Sequence, residues 1–214
     1  MLKQIQTVIR CLTEAAGSVV GLRCGTEEPR HSSEQLTDGV EIRHYGPRIA
    51  AETTVRAGEE AARNIGFRRL ARYIFGANHA TVKIAMTAPV VQHSAGASGE
   101  KIAMTAPVSQ RAAADGVWVI RFFMPADKTM DSLPLPDDSE VTLVNVPPET
   151  VAVLRFSGIP TETAVASQTA KLLRTLREHG FASTGTPAAW FYDPPWTIPM
   201  LRRNEIAVPV TAIP

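Results

Sequence analysis

Residues 40–76 read VEIRHYGPRIAAETTVRAGEEAARNIGFRRLARYIFG, and the periodicity of this stretch decides the fold. Val40, Ile42 and His44 alternate with Glu41, Arg43 and Tyr45 until Gly46 and Pro47 interrupt them, which is the pattern of a half-buried strand. Alternation resumes through Ile49, Ala51, Thr53 and Val55. The period then turns helical from Gly58 to Phe75, closed by Gly76 where a left-handed C-terminal cap belongs.

Working outward, the octapeptide KIAMTAPV occurs twice, at 83–90 and 101–108, around the loop Gln92 to Glu100, and predicts a hairpin whose strands end at prolines. The second half repeats the opening plan. Val117 to Met124, Val141 to Val146 and Val151 to Phe156 alternate as strands, and a helix from about Thr161 to His179 carries the stripe Val165, Thr169, Leu172, Leu173 and Leu176, stopped by Gly180. An aromatic segment, Trp190 to Trp196, precedes a last strand, Glu205 to Val210. The ending EIAVPV echoes the two AMTAPV endings and suggests an internal duplication. These elements predict one α+β domain in which a barrel-like sheet of two pseudo-symmetric halves is covered by two long helices.

Upstream, Leu2, Ile5, Ile9, Leu12 and Ala16 form one apolar helical stripe, and residues 23–38 read as a linker. The chain thus divides into 1–37, helix and linker, and 38–214, a single domain. Lys3, Arg10 and Glu14 break the apolar run a secretory signal needs, and no 18-residue apolar run exists for a transmembrane segment, so a cytoplasmic protein is expected.

In a chain of 214 residues, 44% hydrophobic and 20% charged residues match a soluble globule. Twenty-two Lys and Arg against 21 Asp and Glu leave a formal charge of +1, too weak a field to expect a nucleic-acid partner. Cys11 and Cys24 are the only cysteines, which excludes a disulfide framework for the rest of the chain.

EIRHYGP at 41–47, YIFGAN at 73–78, the two KIAMTAPV copies, YDPP at 192–195 and RRNEIAV at 202–208 occur in one order that resembles the SOUL haem-binding protein family over roughly residues 38 to 210. The resemblance implies a distorted β-barrel of two similar halves flanked by two helices. It also implies a tetrapyrrole, haem above all, held in an apolar groove beside the first long helix, by a carrier or buffer rather than an enzyme.

The first helix has apolar surface to spare. Ala62, Gly66, Leu70 and Tyr73 form one arc, and Phe67, Ala71, Ile74 and Phe75 widen it beyond the stripe a surface helix needs. By pattern alone, such a helix suits burial between the sheet and the N-terminal helix. The resemblance instead implies that Phe67, Ala71 and Arg72 face haem, with Leu70 adding to the wall and Arg68 joining Arg72 at the rim to pair the propionates. Relatives with Met at these apolar positions carry larger side chains than Ala71. The opposite wall is expected from Trp196, Ile198 and Met200 in the proline-stiffened segment 193–200.

Of the five histidines, His44 is the candidate axial ligand, since it shares a strand face with Val40 and Ile42 before a proline break. A histidine so placed also suits a hydrogen-bonded structural role. His79 and His93 fall in polar loops, and His179 at a helix end suits the dipole. Met86 and Met104 alternate with Ile84 and Ile102 and suit core packing. No G-x-S-x-G, H-E-x-x-H, C-x-x-C or phosphate-binding glycine loop occurs, so catalysis is not expected.

Two other readings use the same fold. A non-haem effector-binding module would place an unpaired acidic residue deep in the groove. A protein-interaction module would have its groove closed and packed. Oligomeric state and the identity of the tetrapyrrole are not written in the sequence.

Overall fold

The computed structural model describes residues 26–79 and 99–213. The deciding stretch forms β2 (Val40–Tyr45) and β3 (Arg48–Arg56), separated by Gly46 and Pro47. In the second half β8 (Val141–Val146) and β9 (Glu149–Phe156) are separated in the same way by Pro147 and Pro148. Proline has no N–H for a ladder, so neither pair folds back into a hairpin. Instead β2 pairs antiparallel with β9 and β3 with β8, Tyr45 opposite Glu149 and Arg48 opposite Val146. The two broken strands make one long ribbon, kinked where the prolines lie.

The remaining strands are β1 (His31–Thr37), β4 (Asn78–His79), β5 (Val108–Ala114), β6 (Val117–Phe123), β7 (Leu135–Pro136), β10 (Phe181–Ser183), β11 (Ala188–Phe191) and β12 (Asn204–Ala212). The main sheet runs β1-β2-β9-β12-β11-β5-β6-β3-β8, with β10 added to β12, while β4 and β7 pair separately. Because its far ends belong to the same kinked ribbon, the sheet must curl. Trp190 on β11 meets both Tyr45 and Phe123 edge-on across the inside of that curl, at 5.8 and 6.5 Å between ring centroids.

Two helices cover the outer face. Leu154, Ile206, Ala189, Gln110, Ile120 and Thr53 are successive cross-strand partners and so project on one side of the sheet. At one end of this row Ile120 packs with Leu70, Tyr73 and Ile74 of α1 (Glu59–Ile74). At the other, Leu154 and Ile206 pack with Leu172 and Leu176 of α2 (Glu162–Glu178). Helix α1 carries Glu59 and Glu60 in its first turn, where the dipole favours them, and gives way to Gly76 at φ +113°. Gly66 lets α1 sit close, since a Cβ there would lie 2.7 Å from Ile120 Cγ1. Thr161 caps α2 by accepting from the Ala164 N–H at 3.2 Å.

Three expectations change. Residues 31–37, read as part of a linker, form β1 along β2, so the sheet starts ahead of residue 38. The second KIAMTAPV copy is not a strand before Val108. Its polar groups go to separate parts of the chain instead: the Ile102 N–H to Ile74 O, the Thr105 hydroxyl to Phe123 O, and the Ala106 N–H to Glu27 O, ahead of a cis Ala106–Pro107 bond. EIAVPV lies inside β12, paired on both sides, so its echo of AMTAPV joins positions that are not equivalent in the fold. The N-terminal helix, the first octapeptide copy and most of the loop between copies fall outside the described residues.

Candidate functional site

The flank of α1 turned toward α2 is where the expected groove wall stands. Arg63, Phe67 and Ala71 follow at intervals of four and share that flank. Phe67 is 40% exposed, with its ring edge-on to Phe122 at 5.4 Å. Ala71 is half-buried. Leu70 is fully buried in the core and supports the flank from behind. Arg68 is exposed. Arg72 is exposed too, but it lines a cleft of about 190 Å³ with Arg69, Tyr73, Ala77, Asp137 and Asp138.

The second wall is the turn before β12. Apolar residues there are held by polar contacts around them: the Thr197 N–H donates to Pro194 O, the Leu201 N–H to Ile198 O, and the Arg202 guanidinium to the carbonyls of Thr197 and Pro195. The Gly158 N–H donates to Pro199 O at 2.9 Å, and the Asn204 amide to Gly158 O at 3.0 Å, tying the turn to the segment before α2. Trp196 remains 64% and Met200 76% exposed, with Ile198 and Leu201 of the same turn and Ile159 beside it also open.

Cross-strand register places both walls on one face. Asn204, Phe191, Val108 and Phe122 are successive partners on β12, β11, β5 and β6. The turn sits at the Asn204 end and Phe67 over the Phe122 end, three ladder steps or about 14 Å apart. Phe191 and Val108 form the floor between them. Arg63 crosses it, its guanidinium 4.7 Å from the centroid of Phe191 and 3.5 Å from Pro160 O. Burial pushes the Arg63 guanidinium below its usual value, against the pull of Glu60, Glu59 and Glu162. Arg63, Val108, Phe191 and Ile159 escaped the sequence reading; only the spacing of four from Arg63 to Phe67 could have signalled the first of them.

His44 is not brought to this slot. It is exposed on β2, its Nδ1 3.0 Å from the Thr150 hydroxyl, and Thr150 lies six residues along β9 from Phe156, the partner of Asn204 at the edge of the slot. Among the described residues no three His, Cys, Asp or Glu side chains cluster as a metal site, and no helix is long and apolar enough to cross a membrane.

The motifs that carried the resemblance converge elsewhere, on the inner face. Arg43 of EIRHYGP donates to both Glu205 carboxylate oxygens, at 2.8 and 3.0 Å, and to Glu41 at 2.7 Å. Glu205 of RRNEIAV is completely buried and also accepts from Arg203 at 2.8 Å and from the Tyr192 hydroxyl of YDPP at 2.6 Å. Burial alone would raise the Glu205 carboxyl, but Arg43, Arg203 and Tyr192 together hold it below the usual carboxylate range. Burial and the Glu205 charge push the Tyr192 hydroxyl far up. YIFGAN has a structural task as well: the Tyr73 hydroxyl donates to Pro134 O at 2.8 Å, and the Asn78 amide to Tyr73 O and Glu100 O.

Comparison with known proteins agrees with this architecture. The SOUL heme-binding protein family pattern matches residues 26–99 and 93–209. Heme-binding protein 2 of Homo sapiens is 32% identical over 141 residues, 65% of this chain and 62% of that protein, and its Mus musculus counterpart 31% identical over the same shares. The matched region thus spans less than two thirds of these relatives. Among solved structures, the C-terminal domain of EcmrR superposes with a TM-score of 0.57 at 11% identity, over 86% of this chain and 99% of that one. An uncharacterized conserved protein from Listeria innocua superposes with a TM-score of 0.54 at 13% identity, over 80% and 92%. These two share the fold alone: a curled antiparallel sheet with two helices. With its motifs in family order and the family pattern matching from residue 26 to residue 209, the chain belongs to the SOUL heme-binding protein family.

Proposed function

We propose that this protein is a carrier or buffer for haem or a closely similar tetrapyrrole, which lies in the outer slot between the α1 flank and the 196–201 turn. One observation carries the reading: Phe67 on one side and Trp196, Ile198 and Met200 on the other leave large apolar side chains in water across a shared apolar floor. The surface fits a flat amphiphile with acidic groups. Arg68 stands exposed above the Phe67 flank, and Arg72, farther round the helix, serves a second carboxylate by swinging out of its cleft. Ala71 leaves room beside Phe67 where a longer side chain would fill the slot, and Leu70 fixes the helix against the sheet. Burying about 300 Å² of apolar wall contributes roughly 7–8 kcal/mol before association costs, so micromolar affinity needs no bond to iron. His44 takes no part in this arrangement.

The effector-binding reading called for an unpaired acidic residue. Glu205, a fully buried carboxylate, lies on the inner face away from the slot and is already paired with Arg43 and Arg203, so it offers a cationic effector in the slot no partner.

We further propose that the two halves are related by a pseudo-twofold axis between β5 and β11. Exchanging β2, β3, β5 and β6 for β8, β9, β11 and β12 maps the strand pairings onto themselves, and each half then supplies one helix. The slot would lie where the halves meet, over β5 and β11.

A hemin titration followed in the Soret band tests the function. Saturable binding near micromolar protein is expected, with iron-free protoporphyrin competing. Absence of a saturable change overturns the reading.

A further inference from the structure

A second pocket lies on the opposite, inner face. Its walls include Ser109 and Arg111 of β5, Arg121 and Phe123 of β6, Glu149 and Val151 of β9, and Trp190 of β11, around a cavity of about 90 Å³. Strands β9 and β6 stand four places apart in the sheet, so only its curl brings them to one cavity.

The charges there do not cancel. Arg121 pairs with Glu52 at 2.5 Å, and Arg48 pairs with Glu149. Arg111 has no ion pair among the described residues, which leaves one positive charge over. Arg48 sits directly behind the wall, its guanidinium 4.2 Å from the Tyr45 ring and 4.7 Å from that of Phe123, and only 9% of its side chain is exposed. Its Nε and Nη1 groups are buried without an acceptor among the described residues, a cost that a nearby anion would reduce. Ser109 is nearly buried and, with Arg111 two residues along, projects on the same side of β5. Beside these donors Trp190, Val151 and Phe123 present apolar surface.

We propose that this inner pocket binds a short-chain organic monocarboxylate. The carboxylate meets the Arg111 guanidinium and the Ser109 hydroxyl, and the alkyl chain lies against Trp190 and Val151. A cavity of about 90 Å³ suits an acid of three or four carbons and is far smaller than a tetrapyrrole. The site lies on the far side of the sheet from the haem slot and stands independently of it.

Titration of the full chain with sodium butyrate, read on the indole N–H signals of its three tryptophans by ¹⁵N NMR, tests the assignment. The Trp190 signal shifts and saturates in the millimolar range while that of Trp196 stays still, and n-butylamine, equal in shape but opposite in charge, produces no saturating shift. Arg111→Gln weakens butyrate binding about tenfold or more while leaving hemin binding unchanged. A Trp190 signal that does not respond, that responds equally to the amine, or that saturates identically in Arg111→Gln overturns the proposal. The comparison of butyrate with butylamine uses only the wild-type chain, so it decides the matter even if the variant does not fold.

Discussion

The Arg63 guanidinium lies over the Phe191 ring at 4.7 Å, and the same group reaches the Pro160 carbonyl, so one side chain of α1 clasps both β11 and the approach to α2. Phe67 stands one turn further along that helix. Arg63→Ala removes a half-buried cation–π contact and loosens the slot at its floor. We expect a loss of about 1 kcal/mol in chemical denaturation and weaker hemin binding, with Arg63→Lys restoring only part of either. Wild-type affinity in Arg63→Ala would separate this residue from the slot.

Glu205→Gln leaves Arg43 and Arg203 partly unpaired on the inner face and should cost about 3–5 kcal/mol at neutral pH by urea unfolding. The pH dependence has a definite sign. The Glu205 carboxyl is held below its usual 4.5 in the fold, so its stabilisation is complete above that value and fades as acid carries the pH down through the lowered one. The gap between wild type and Glu205→Gln should therefore close on acidification. A gap that is constant or widens below pH 4.5 contradicts the pairing.

Gly66→Ala improves helix propensity by about 1 kcal/mol yet drives a methyl against the buried Ile120 side chain, at a cost of about 1–3 kcal/mol. A net loss is expected, read as a fall in Tm of about 2–4 °C. A rise in Tm would mean that α1 can ride higher on the sheet.

His44→Ala should leave the Soret maximum and the hemin affinity unchanged, because His44 hydrogen-bonds Thr150, six residues along β9 from Phe156, the partner of Asn204 at the edge of the slot. A shifted Soret band in this variant would assign it to the iron.

The sequence disclosed the strands and the kink at Gly46 and Pro47, but not how they are buried. Val40, Ile42, Ala51 and Val55 alternate on the face under the helices, yet Arg43, Tyr45 and Ala50 of the other face are buried too, and His44 is exposed. Gly76 and Gly180 stop both helices in the left-handed conformation their positions demand. Strand β1 was invisible because its first five side chains are exposed, so neither face carries an apolar signal. The second octapeptide reads as a strand by composition, but Ile102 bonds to α1, Thr105 to β6 and Ala106 to Glu27 ahead of β1, information no local pattern contains.

The candidate site was partly legible for the same reason. Phe67 and the Trp196 turn announce themselves as surplus apolar residues. Arg63 and Phe191 meet only through tertiary folding. The strongest motifs led inward, to Arg43 and Glu205, which lie 162 residues apart and mark the scaffold rather than the slot.

Hemin titration of wild type, Phe67→Asp and Trp196→Ala, each checked for an unchanged melting temperature, tests the central claim most directly. The account predicts saturable micromolar binding by the wild type, weakened about tenfold or more by Phe67→Asp and measurably by Trp196→Ala. Equal affinity in all three folded proteins would place the tetrapyrrole somewhere other than between these two walls.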